Sequence, residues 1–371
     1  MNSSLSGFAQ LDLVMALETF QSKLDISTRP GELVKKLSDD NLICTACGHL
    51  CKLRPGQRGI CKVRSNEGGV LRVPFNYAAG VQNDPIEKKP FFHVLPGSSA
   101  LSFGMLGCDF RCAYCQNWFT SQTLRDDAST SNFTSITAGG ICDLAEQHGS
   151  RTVVSTYNEP LITSEWAVEV FREARERGLL TAYVSNGHGT PEVLAYIEPW
   201  VDLYKIDLKS FSAKNYRRLG GNLDAVLETI RQTHAMGFWT EIVTLTIPDY
   251  NDSDEELAQM AEFIASVSVD IPWHVTAFHP DYKMKNVERT PAKTLLRARQ
   301  LGKEAGLRYI YSGNLPGQVE NTENTFCPQC GEVVIERHGY NILSYRLKNG
   351  ACPHCREPIP GRWPPPHYVG R

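Results

Sequence analysis

The chain has 371 residues, enough for one large core and one or two smaller units. Its 38 Lys and Arg against 41 Asp and Glu leave a formal net charge of −3, so no whole-chain basic field marks it for nucleic acid or an anionic membrane. No apolar run reaches the length of a spanning helix, and Met1 to Gln21 lacks the basic-then-apolar order of a secretory signal, so the expected location is the cytoplasm.

Residues 1–40 read as a helical N-terminal extension, one or two short helices ending at the Pro30-Gly31 break. Residues 41–98 are rich in Cys, Gly, Pro and charge, and read as an N-terminal four-cysteine metal-binding unit. Over residues 99–317 the pattern becomes regular. Strand-like apolar runs lie at 101–106, 152–156, 180–185, 201–208, 240–247, 273–278 and 308–312. Helix-like segments fall at 163–177, 223–236, 254–267 and 291–304, the last with Thr290 as cap and Pro291 at its first position. This alternation predicts an α/β fold with βαβ units and a parallel sheet. Six or seven such units point to an open, partial (βα)-barrel, with a doubly wound sheet as the structural alternative. Residues 321–371 form a compact cysteine-bearing tail with a Pro-rich end.

Eleven of the twelve cysteines fall into three tight groups. Cys142 stands alone in a helical stretch, where it reads as a small buried apolar residue. Spacings of two or three residues in a long chain without a signal segment point to metals rather than disulfides. Cys108, Cys112 and Cys115 follow the first strand of the barrel pattern. Three thiolates in one short loop hold three irons of a [4Fe-4S] cluster and leave the fourth open to another ligand. The C-terminal end of a barrel strand is also where barrel chemistry sits. A closed zinc site is the competing reading, and C-x3-C-x2-C is an unusual spacing for zinc. In the tail, Cys327/Cys330 and Cys352/Cys355 are two knuckles separated by 21 residues. They form a four-thiolate, zinc-ribbon-like set with zinc as the default ion; their likeness to rubredoxin also admits a single iron. Cys44, Cys47, Cys51 and Cys61 lie among Lys52, Arg54, Arg58, Lys62 and Arg64, and their spacing leaves zinc and a second Fe-S cluster both open.

The C-x3-C-x2-C loop, with Tyr114 before its third cysteine, resembles the signature of the radical S-adenosylmethionine (SAM) superfamily. That resemblance implies a [4Fe-4S] cluster whose open iron is chelated by SAM. Reduction then yields methionine and a 5′-deoxyadenosyl radical that abstracts a hydrogen atom. Ser155 to Pro160 resembles the "GGE" motif, which implies that Asn158 and Glu159 take the SAM amino group, although the usual glycines are absent. Tyr183 to Gly187 resembles the "TNG" segment, placing Ser185 and Asn186 near the ribose and carboxylate. Tyr204 to Lys209 resembles the "DLK" strand of pyruvate formate-lyase activating enzymes, with Asp207 and Lys209 toward the SAM carboxylate or a nearby cation, and Tyr114 is placed against the adenine. Without the resemblance, Asn158-Glu159-Pro160 reads as a helix cap and Asp207 as a loop charge. His279 ends a strand and is read as a contact for substrate or for the methionine half of SAM, whereas His274 reads as a core or surface histidine. His93 and His188 are weaker candidates of the same kind.

Asp84 to Pro90, Cys115 to Trp118, Tyr157 to Pro160, Phe278 to Pro280 and the two tail Cys-Pro-x-Cys knuckles together resemble the AmmeMemoRadiSam system radical SAM enzyme, from Cys44 to Trp363. The resemblance implies a reductant such as flavodoxin or ferredoxin and partners of the Memo and AMMECR types. The expected activity is hydrogen abstraction, from a partner protein by analogy with glycyl-radical activation, or from a small molecule. A zinc-ribbon binding module with an inert barrel is the reading from another class.

Overall fold

The computed structural model describes residues 20–129, 131–319 and 321–364. At its centre is an eight-stranded sheet made of β1 (Gly80–Pro85), β2 (Ser99–Gly104), β3 (Thr152–Ser155), β4 (Leu180–Ser185), β5 (Leu203–Asp207), β6 (Trp239–Thr246), β7 (Trp273–Ala277) and β8 (Ile310–Gly313). The strands lie side by side in chain order. β1 runs antiparallel to β2, and every later neighbour is parallel. A doubly wound sheet reverses its strand order at a switch point, so the unbroken order excludes that alternative. Residues from β4 to β8 line a single cavity, so the sheet curls, and β1 and β8 remain its two ends. β3 and β7 are buried at every residue, as expected where helices cover one face of a parallel sheet.

Helices return the chain between the parallel strands, among them α1 (Ala138–Gln147), α2 (Ser164–Glu176), α3 (Pro191–Ile197), α4 (Ala213–Leu219), α5 (Leu223–Ala235), α6 (Asp254–Val267) and α7 (Ala292–Glu304). Their starts follow capping chemistry. The Ser253 hydroxyl accepts from Glu256 N ahead of α6, whose first turn carries Asp254, Glu255 and Glu256 against the positive end of its dipole. Thr190 caps α3 in the same way, with Pro191 next. α7 departs from expectation: Pro291 is itself the N-cap position. The Thr290 hydroxyl donates instead to Thr246 O and accepts from Phe278 N, joining the ends of β6 and β7. Cys142 is buried in α1, as its surroundings in sequence implied.

The N-terminal reading needs a correction. The helix Phe20–Ile26 is followed by strands, with Thr28–Pro30 pairing with Val70–Pro74 and Val34–Lys36 pairing with Leu42–Cys44. Residues 28–36 therefore belong to the cysteine-rich unit, because their backbone groups are satisfied there; residues 1–19 of the expected extension lie outside the described residues. The unit docks on α2 through Arg64 and Glu165, whose side chains are sealed from solvent and 2.7 Å apart. Removing one partner of such a pair costs about 3–5 kcal/mol, because it strands the other charge. In the tail, Thr325–Phe326, Val333–His338 and Asn341–Tyr345 form an antiparallel sheet. The tail has no separate core: Val334, Ile335 and Leu347 pack with Phe92, Tyr309 and Tyr311.

Candidate functional site

The loop bearing Cys108, Cys112 and Cys115 leaves the C-terminal end of β2. Gly107 enters it at φ 87°, and a Cβ there would stand 2.7 Å from Cys61 O, so glycine permits both the turn and the contact with the N-terminal unit. Arg125 then pins the loop by donating to the carbonyls of Cys108, Phe110 and Ile60. Burial pushes the free Cys112 thiol up to about 12, and the ammonium of Lys209 works against that shift. Such a group becomes a thiolate readily only when a metal replaces its proton.

Cys112 and Cys115 open onto a cavity of about 380 Å³ at the C-terminal ends of the parallel strands. Tyr114, between them, lines the same space and meets Tyr250 edge-to-face. The facing wall carries charge. Asp207 lies between Lys205 and Lys209, with Lys209 Nζ 2.9 Å from its carboxylate. Burial would raise the Asp207 carboxyl, but the two ammoniums outweigh it and hold it at about 2. His274, from β7, also faces the cavity, with Nε2 2.6 Å from Glu241 Oε2. Glu241 is fully buried and accepts further bonds from Phe92 N, His93 N and Trp239 Nε1.

Tyr157 borders the cavity where the resembled motif has glycine, and its φ of 67° is the left-handed conformation that glycine takes without strain. Lys89 holds its ring in place: Nζ lies 3.1 Å from the Tyr157 hydroxyl and 2.8 Å from Asp84. The cavity is bordered on the tail side by Tyr340, in the turn between two tail strands.

The other expected contacts form a buried network behind the cysteine loop. Asn158 Oδ1 accepts from Met105 N and ties the end of β3 to that of β2. Glu159 accepts from Leu161 N, Ser185 Oγ and Asn186 N. Burial, and then the charge of Asp109, raise its carboxyl to about 8. Asn186 donates to Asp109, which also holds His188. His279 Nε2 lies 3.0 Å from Nε2 of Gln116, a residue of the cavity lining. The structure thus brings Tyr114, Asp207 and Lys209 to the cavity with two of the cysteines, and gives Asn158, Glu159, Ser185 and Asn186 hydrogen-bonding roles at the strand ends. Sequence reading missed Lys205, Glu87, Tyr157 and Asp109, and set His274 aside. Lys205, Asp207 and Lys209 alternate at period two, which places all three on one side of the chain and was the available signal.

In the tail, Cys327, Cys330, Cys352 and Cys355 each bring a sulfur within 4.8 Å of the others. The Cys355 N–H draws the Cys352 thiol down to about 7. Among the described residues, no helix is long and apolar enough to cross a membrane.

A family model described as the radical SAM superfamily matches residues 104–263. The chain is 35% identical to an uncharacterised protein of Methanocaldococcus jannaschii, over 89% of this chain and 98% of that one. It is 23% identical to a pyruvate formate-lyase-activating enzyme of Staphylococcus aureus, over 57% of this chain and 89% of that one. Among solved structures, Streptococcus suis SuiB bound to precursor peptide SuiA is similar at 14% identity and TM-score 0.46, covering 62% of this chain and 51% of that one.

Proposed function

The chain belongs to the radical SAM superfamily, and we propose that it cleaves SAM reductively at a [4Fe-4S] cluster held by Cys108, Cys112 and Cys115. One observation carries this reading: Cys112 and Cys115 open onto the same cavity as Tyr114, Asp207 and Lys209, at the ends of parallel strands. The donor set fits the group, with three thiols in one pinned loop and a cavity beside them for the ligand of the open iron. When bound, the cluster supplies the electron that splits SAM into methionine and a 5′-deoxyadenosyl radical able to remove a hydrogen atom.

The protein's share is binding, orientation and exclusion of water. Asp207 and Lys209 offer opposite charges to the amino-acid end of SAM, and Tyr114 offers an aromatic wall for the adenine. Glu159, Ser185 and Asn186 serve the same end by fixing the strand termini, and His279 holds Gln116 of the cavity lining. Val243 and Leu245 keep the inner wall apolar. With Tyr340 at the border, the hydrogen donor is a small molecule or an extended segment of a partner protein rather than a folded surface. Memo- and AMMECR-type partners rest on the motif resemblance alone. The tail thiols are read as a structural zinc site, because Cys327 and Cys355 stand 3.5 Å apart, near the ~3.8 Å edge of a tetrahedron with 2.3 Å bonds.

Anaerobically purified protein tests the main reading. It should be brown, carry iron lost on Cys112→Ala substitution, and release 5′-deoxyadenosine from SAM when reduced. Colourless protein that releases none after reconstitution with iron and sulfide would leave the inert-barrel alternative standing.

A further inference from the structure

The two cysteine sets outside the Cys108 loop are spaced differently. The four tail sulfurs crowd within 4.8 Å, as four ligands of one tetrahedral ion must. Cys44, Cys47, Cys51 and Cys61 also converge. Cys44 N donates to Cys51 O at 3.0 Å, which brings those two residues together. A Cβ at Gly59 would touch the sulfurs of both Cys51 and Cys61, at 3.6 and 3.7 Å. Yet among the described residues these four form no group of three within 4.8 Å, and neither do Cys108, Cys112 and Cys115. Wider spacing is what a cubane requires, since each thiolate then binds a different iron. In this the N-terminal four match the Cys108 trio rather than the tail.

A second observation lies beside them. His188 is 1% exposed, and its Nε2 has no hydrogen-bond partner. Asp109 holds the opposite nitrogen at 2.9 Å, so the ring cannot turn away. Nε2 faces the Cys47 turn: a Cβ at Gly48 would lie 2.6 Å from it, and Cys47 groups with Asp109 and His188 within 4.8 Å. A carboxylate that fixes one imidazole nitrogen while the other points at a metal site is a common supporting arrangement.

We propose that Cys44, Cys47, Cys51 and Cys61 hold a second iron–sulfur cluster, that His188 is its polar neighbour, and that zinc is confined to the tail. The site abuts the first cluster loop, because Cys61 O packs on Gly107 and Arg125 joins the carbonyls of Ile60 and Cys108. The chain would then carry two one-electron centres side by side.

The test uses the full chain, purified without oxygen and reconstituted with iron and sulfide. About eight irons and one zinc are expected per chain. Replacing Cys108, Cys112 and Cys115 together by Ala should leave about four irons, and a reduced-state paramagnetic signal that SAM does not perturb. The Cys44→Ala/Cys47→Ala variant should lose that signal and half the iron while keeping its zinc. His188→Gln should shift the g-values of the same signal. A triple variant with no iron, or a second zinc removed by Cys44→Ala/Cys47→Ala, overturns the proposal; unchanged g-values remove His188 from it. The iron and zinc counts do not depend on SAM cleavage, so they stand apart from the proposed activity.

Discussion

His188 Nδ1 lies 2.9 Å from Asp109 Oδ2, and both side chains are sealed from solvent. Asp109 sits inside the cysteine loop, so this contact ties that loop to the end of β4. Burial favours the neutral acid, but the His188 and Asn186 hydrogen bonds outweigh it and lower the Asp109 carboxyl. In Asp109→Ala, His188 Nδ1 and Asn186 Nδ2 lose their acceptor, at about 1–3 kcal/mol each. Losing such support typically weakens metal retention about 10–100-fold. Iron released to a chelator under argon should follow that loss; release at the wild-type rate would show that the loop holds itself.

Asp207 is the shared anion of Lys205 and Lys209. Asp207→Asn leaves two buried ammoniums facing each other, at about 3 kcal/mol, the lower end for buried pairs because the carboxylate is partly open to the cavity. The pH dependence has a definite sign. A carboxyl held at about 2, below its usual 3.8, contributes stability above pH 3.8 that is lost as pH falls toward 2. Thermal melting from pH 6 to 3 should therefore fall less steeply in the variant. Parallel curves would count against the three-charge cluster.

Much of this was legible in sequence because it is local. Cys108, Cys112 and Cys115 share one loop, and Asp207 and Lys209 share one strand end, so spacing alone brings them together. β4 to β7 showed as apolar runs for the same reason. β1 did not, because Gly-Val-Gln-Asn-Asp-Pro is an edge strand with partly exposed residues and no apolar alternation. Glu241 and His274 look like interruptions of two buried strands. Only the register pairing Val243 with His274 brings the imidazole beside the carboxylate. The Asp109–His188 pair spans 79 residues, and no local pattern announces it.

Glu87 is fully buried at the cavity edge; Oε1 accepts from Gly97 N and Oε2 has no partner. Burial raises its carboxyl to about 7, with Arg337 opposing. The folded chain therefore keeps a proton that the unfolded chain releases near pH 4.5. Stability from this group is full below pH 4.5 and is lost as pH rises toward 7, by at most about 3 kcal/mol. Glu87→Gln imitates the protonated acid. Its melting temperature should exceed that of the wild type at pH 8 and converge with it near pH 4.5. An equal gap at both pH values would assign the effect to packing.

Cys330 is the exposed member of the tail thiols, so Cys330→Ser alters one ligand with little change in packing. Zinc per chain should fall from one toward zero while iron is unchanged, and limited proteolysis should begin to cut within residues 321–364. The effect should also reach the active cavity. Phe92 packs with Cys327 and Val334 of the tail, lines the cavity, and gives its N–H to Glu241, the partner of His274. Loosening the tail therefore loosens the wall that positions His274, and release of 5′-deoxyadenosine should drop roughly tenfold, as when groups supporting a metal site are disturbed. Zinc loss with full SAM cleavage would mean that the tail only covers the barrel and that Phe92 holds its place without it.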